Sequence, residues 1–147
     1  MASGVVFAPG DFFVELRKEL KRSLPVGLRD ITTSRGPGRL MKIHYGEPAF
    51  HYEAWHHAGA GRFEVGLHFE STAKRNQEAF EFFRSRMVEV KASLARAELE
   101  PWDRGWSRLY ETMPAARLDG EVLAAARSVL TSYISTLQPM LEQFLSA

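Results

Sequence analysis

Between Leu28 and Glu70 the apolar residues of this chain recur at every second position, and this alternation constrains the fold more than any other feature. Four short runs are divided by Arg35-Gly36-Pro37-Gly38-Arg39, by Gly46-Glu47-Pro48-Ala49 and by Ala58-Gly59-Ala60-Gly61. Short connections rich in Gly and Pro join antiparallel neighbours, so the spacing predicts a four-stranded meander. Its apolar face would carry Ile31, Met41, Ile43, Tyr52, Val65 and Leu67, among others.

On either side of this region the period changes to that of a helix. Phe13, Leu16, Leu20 and Leu24 mark a first amphipathic helix, with Pro9-Gly10-Asp11 as its opening turn and Asp11 as N-cap, and with Pro25 ending it. A second helix is expected from about Thr72 to Arg96, with Phe80, Phe83, Met87, Val90 and Leu94 on its inner side. Trp106-Ser107-Arg108-Leu109-Tyr110 reads as a fifth strand. A final helix starts at the N-cap Asp119, and Pro139 should kink or split it. The expected fold is α+β, in the order α-β-β-β-β-α-β-α. It is a four- to five-stranded, mostly antiparallel sheet with helices on one face, forming a single domain over residues 1–147.

Composition excludes several functional classes. The chain has 45% hydrophobic and 25% charged residues, the globular average, so it should not be disordered. Nineteen basic side chains face 18 acidic ones, a balance that creates no strong field toward nucleic acid or an anionic membrane. With no cysteine, disulfides, thiolate metal sites and a cysteine nucleophile are excluded. The start, Met1 to Gly10, lacks the basic and then apolar pattern of a signal peptide, and no stretch approaches a bilayer span. These features fit a cytoplasmic protein.

Local catalytic signatures are missing. Gly36-Pro37-Gly38 lies between two strands, with no helix behind it to hold a phosphate. No His-Glu-x-x-His, Gly-x-Ser-x-Gly or Ca²⁺-loop pattern occurs. What stands out comes from aligning the hairpins so that apolar residues oppose one another, Ile31 with Ile43, Ile43 with Tyr52, and Tyr52 with Leu67. Alternation then fixes the other face, where one row reads Asp30, His44, His51, His68. Adjacent rows place Lys42 beside Glu53 and Trp55 beside Glu64.

Imidazoles bind divalent ions and titrate near neutral pH, so such a row suits metal binding or proton transfer. In this reading His44, His51 and His68 line a polar site, with Asp30 and Glu53 as orienting carboxylates. Row neighbours are about 5 Å apart at Cβ, which puts His44 and His68 about 10 Å apart, too far for one ion without strong leaning. No catalytic residue, cofactor or metal is therefore assigned. Trp55 and Leu40 on the same face suggest cover by the Trp102–Tyr110 segment or by a second subunit.

The stretches Phe50-His51-Tyr52-Glu53 and Val65-Gly66-Leu67-His68-Phe69-Glu70, the helix with Asn76 and Phe80, and Trp102 with Ser107-Arg108-Leu109-Tyr110 carry a resemblance. The chain resembles a bacterial domain of unknown function that occurs alone or at the C-terminal end of larger proteins, some with nuclease-like or restriction-associated regions. The similarity spans roughly residues 40–145. It implies a stand-alone accessory module in DNA-related or defence contexts and supplies no catalytic residues. No Asp…Glu-x-Lys arrangement on adjacent strands is evident.

The functional expectation is a non-catalytic bacterial binding or interaction module. A homodimer is expected because the final helix has apolar residues on more than one side, and a separate protein partner is a further expectation. Two alternatives stand beside this reading. One is a small metal-dependent or acid–base enzyme using the histidine row. The other is a weak nucleic-acid-binding accessory protein using Arg29, Arg35, Arg39 and Lys42, in a first third where residues 1–50 hold 8 basic and 5 acidic side chains. No membrane partner is expected.

Overall fold

The computed structural model describes residues 4–147. Met1, Ala2 and Ser3, part of the stretch read above for a signal peptide, lie outside the described residues. Helix α1 (Pro9–Ser23) starts two residues before Asp11, because Pro9 fits the first turn, where no N–H is needed. Asp11 thus sits inside the first turn, and no side chain caps the helix. Phe12, Phe13, Leu16 and Leu20 are its buried side. Leu24 is extended before Pro25, as the residue preceding a proline prefers, and the helix stops there.

The meander follows as β1 (Thr32–Arg35), β2 (Leu40–His44), β3 (Phe50–His57) and β4 (Arg62–Phe69). After α2 (Ala73–Arg84) and α3 (Met87–Ser93) come β5 (Glu98–Pro101) and β6 (Ser107–Pro114), and α4 (Gly120–Ser146) closes the chain. The α+β class is as expected, but the sheet has six strands, in the spatial order β1-β2-β3-β4-β6-β5, and every neighbouring pair is antiparallel. The element order is α-β-β-β-β-α-α-β-β-α.

Three departures from expectation have local causes. The long second helix breaks after Arg84 because Ser85 Oγ and the Arg86 guanidinium both bond to the Phe82 carbonyl, in competition with the helical ladder. β5 escapes the sequence pattern because it is a short edge strand that alternates glutamates and ends on Pro101, features that blunt an edge. Pro139 neither splits α4 nor ends it. It sits on an exposed side of one continuous helix, where a carbonyl without its helical partner costs least. The Asp119 cap is as expected, its carboxylate accepting from the Val122 N–H at 2.9 Å.

The helices pack on one face of the sheet. Phe12 and Phe13 of α1 meet Phe63, and Phe83 of α2 stacks on Phe69. Tyr52 of β3 donates to Gln138 of α4 at 2.9 Å. Ile43, Tyr52, Ala54, Val65, Leu67 and Leu109 are fully buried there. The many apolar sides of α4 are met within the chain, by the sheet beneath it and by α1 and α3 beside it. The helix feature that suggested a second copy is therefore covered by one chain. No helix among the described residues is long and apolar enough to cross a membrane.

Candidate functional site

With one face of each strand committed to the core, the residues between are forced onto the other face. Three rows cross it. The first sets Thr32 beside His44, then His51 beside His68, and continues from His68 through Arg108 to Glu100. The second runs Ser34, Lys42, Glu53, Gly66, Tyr110, Glu98. The third sets Leu40 beside Trp55 and Trp55 beside Glu64. None of the ion pairs on this face involves a helical residue. Even so, His51 and Glu53 are 3% exposed and Glu64 and His68 only 1%. These ionisable side chains bury one another.

Each ring is fixed by what its outer nitrogen meets. His51 Nδ1 donates to the Pro48 carbonyl at 2.8 Å, which turns Nε2 toward Glu53 Oε2, also at 2.8 Å. One proton is shared across that second contact. His68 Nε2 lies 2.8 Å from Glu64 Oε2. Its Nδ1, buried and without a hydrogen-bond partner, stands 3.5 Å from Glu53 Oε2 and 3.5 Å from Glu70 Oε2. Glu70 Oε1 is 3.7 Å from His51 Nε2 and 4.0 Å from Lys42 Nζ.

Glu64 is held from the far side as well. Arg108 Nη1 donates to its Oε1 at 2.7 Å, and the same guanidinium reaches Glu100 Oε1 at 2.6 and 2.9 Å. Trp102 and Tyr110 cover the guanidinium at 3.7 and 3.9 Å. Gly66 marks a close approach of β4 to β6. A Cβ there would lie 2.5 Å from Tyr110 Cβ and 2.8 Å from the Leu109 carbonyl oxygen, so only glycine fits where β4 and β6 approach. Glu53, Glu64 and His68 converge on one another, with one ligand atom of each within 4.8 Å of the others.

The charges are unevenly matched. Burial alone would lower the His68 pKa, but the carboxylates of Glu64, Glu70 and Glu53 outweigh it and hold it up at about 9. Glu64 is lowered despite burial by His68, Arg108 and His57, and Glu70 is lowered by His68, His51 and Lys42.

Of the residues expected to form a site, the structure brings together His51, His68 and Glu53. His44 stands at the rim, half-buried, with a buried Nδ1 that has no partner. It lines an open depression with Ser34, Lys42, Pro48, His51 and Glu70. Asp30 does not belong. It is exposed and precedes β1, and Thr32 takes the place opposite His44. The β1–β2 turn sets Thr33, not Ile31, against Ile43, two residues away from the apolar match assumed from sequence.

Glu64, Glu70 and Arg108 complete the site. Continuing the row onto the fifth predicted strand would have found Arg108, and Glu70 follows His68 by two residues on the same face. Of the remaining histidines, His56 lies under the helices, bonded to the Ala115 carbonyl and to Arg39, whereas His57 joins the cluster's edge, its Nε2 3.3 Å from Glu64 Oε1 and its ring tilted against Trp55 with centroids 4.0 Å apart.

The expected cationic patch is largely tied back. Arg29 donates to the Leu24 and Arg22 carbonyls, Arg35 to the Leu40 carbonyl, and Arg39 meets His56. An open groove between residues 113–117 and α4 carries no comparable cluster, and its Arg117 and Asp119 pair with each other at 3.6 Å.

Fold and site together define an α+β protein whose antiparallel sheet is apolar beneath its helices and ionisable on its other face. No protein-family model, curated protein or solved structure matches the chain.

Proposed function

We propose that the protein is a non-catalytic binding module whose working surface is the sheet face bearing His51, Glu53, His68 and Glu70. One observation carries this reading. Four ionisable side chains, His51, Glu53, Glu64 and His68, are almost fully buried on the face that the helices leave free. Burying such groups is expensive, and apolar residues of similar size would often stabilise the protein as well or better. A buried network of this kind, opening on a depression lined by His44, Lys42 and Ser34, is best explained by a ligand.

The catalytic alternative has less support. His68 is 1% exposed and enclosed by Glu53, Glu64 and Glu70, so its ring presents little surface to a substrate. The nucleic-acid alternative loses Arg29, Arg35 and Arg39 to contacts within the chain.

The test is a triple variant, His51→Phe, Glu53→Leu and His68→Leu, which leaves the Glu64–Arg108 pair in place. If the network serves binding, the variant folds with a denaturant midpoint equal to or above wild type. A loss of about 3 kcal/mol or more would show that the network holds the fold together, and would count against the proposal.

A further inference from the structure

We propose that His51, Glu53, Glu70 and His68 form the seat of one divalent transition-metal ion. This rests on the binding-module reading and names its ligand. The first argument is charge. Arg108 is committed to Glu64 and Glu100, and Lys42 reaches only Glu70, at 4.0 Å. Glu53, 3% exposed, has no Lys or Arg partner among the described residues. Its partners there are His51 and His68. A carboxylate buried between two imidazoles needs positive charge there, as protons on the rings or as a cation in their place.

The second argument is orientation. Both rings engage an acceptor with the nitrogen that points away from the seat, His51 through Pro48 and His68 through Glu64. That leaves His51 Nε2 and His68 Nδ1 directed inward. Metal-ligating histidines are held in this way, with a carbonyl or carboxylate fixing the tautomer. His68 Nδ1 is buried, has no hydrogen-bond partner, and faces an oxygen of each carboxylate.

The third argument is spacing. Donors bound at about 2.0–2.2 Å around a tetrahedral centre lie about 3.3–3.6 Å apart. His68 Nδ1 is 3.5 Å from Glu53 Oε2 and 3.5 Å from Glu70 Oε2, and His51 Nε2 is 3.7 Å from the other Glu70 oxygen, Oε1, so Glu70 would meet the ion with both oxygens, one toward each ring. The shortest contact, 2.8 Å between His51 and Glu53, holds a proton that the ion displaces. One ligand atom each from His51, Glu53 and Glu70 lies within 4.8 Å of the other two, beside the open depression. Two imidazoles and two carboxylates favour ions such as Zn²⁺, Co²⁺ or Ni²⁺ over Ca²⁺ or Mg²⁺.

The test is calorimetric titration of the full chain with Zn²⁺, together with Co²⁺ absorption spectroscopy to read the coordination sphere. One ion per chain is expected, with a micromolar or tighter Kd, and with visible Co²⁺ bands that report nitrogen and oxygen donors. Glu53→Gln and His68→Ala should each weaken binding at least about tenfold, and the exposed control Glu78→Gln should leave it unchanged. Should either seat variant fail to fold by circular dichroism, Glu70→Gln at the rim takes its place. No one-to-one uptake of Zn²⁺ or Co²⁺ by wild type would overturn the metal seat, and so would unchanged affinity in Glu53→Gln or Glu70→Gln. Instability of the triple apolar variant would instead overturn the binding-module reading, so the two failures are distinguishable.

Discussion

The imidazoles of His51 and His68 lie face to face across β3 and β4, 7° from parallel and with ring centroids 5.9 Å apart. Positive charge on either ring is offset by the carboxylates around the pair, so burying such charge here depends on Glu53, Glu64 and Glu70. The stability of the metal-free protein should follow from that dependence.

For His68 the folded pKa is raised from 6.5 to about 9. Its stabilising contribution is therefore complete below 6.5 and is lost as the pH rises through 9. Glu64 is shifted down, so its contribution is present above its ordinary value of 4.5 and is lost as the pH falls through the lowered one. Urea melts in the presence of chelator should show a maximum between these limits and a decline on the alkaline side. His68→Gln should flatten the alkaline decline. Wild-type stability that keeps rising from pH 6.5 to 9 would contradict the assignment.

Arg108 offers a second check. Among the described residues it is the only Arg or Lys in contact with the buried Glu64, and it is itself covered by Trp102 and Tyr110. Arg108→Met keeps most of the packing and removes the charge. It should destabilise by about 3–5 kcal/mol, because Glu64 is left without its guanidinium. Glu100→Gln, at the exposed end of the same chain of contacts, should cost under about 1 kcal/mol. Equal losses from the two substitutions would mean that the burial of Glu64 is not what makes the pair matter.

Gly66 gives the third. Alanine there drives a methyl group to 2.5 Å from Tyr110 Cβ and 2.8 Å from a backbone oxygen, neither of which can move without shifting β6. Gly66→Ala should cost about 1–3 kcal/mol. Gly59→Ala, where nothing lies within 4 Å, should be close to neutral in the same melts. A neutral Gly66→Ala would show that β4 and β6 can separate freely.

The sequence made the core legible because a period of two gives each strand residue a side. Tyr52 opposite Leu67, Lys42 opposite Glu53 and Trp55 opposite Glu64 all follow from that pattern. The end of the row was misjudged because the turn, not apolar matching, sets the register of β1, and Asp30 fell outside. The carboxylate set was incomplete for another reason. Glu64 and Glu70 look like ordinary surface residues until Glu64 is seen to be buried and Glu70 half-buried, and nothing in a linear pattern shows that Gly66 lets β6 come this close to β4. The helix break at Ser85 was equally hidden, since Ser and Arg carry no breaker signal and act here through one carbonyl.

The division of each central strand between an apolar side and an ionisable side makes chain length its most rigid property. Deleting one residue within β3 would present Tyr52 and Ala54 to the cluster and turn His51 and Glu53 into the core. Exchange at single positions leaves that partition intact, whereas an insertion or deletion inverts every position beyond it. Length variation among any descendants of this chain would then be confined to the connections, such as the Gly36–Arg39 turn or the Ala58–Gly61 turn, where a change in length need not reverse the faces of the paired strands.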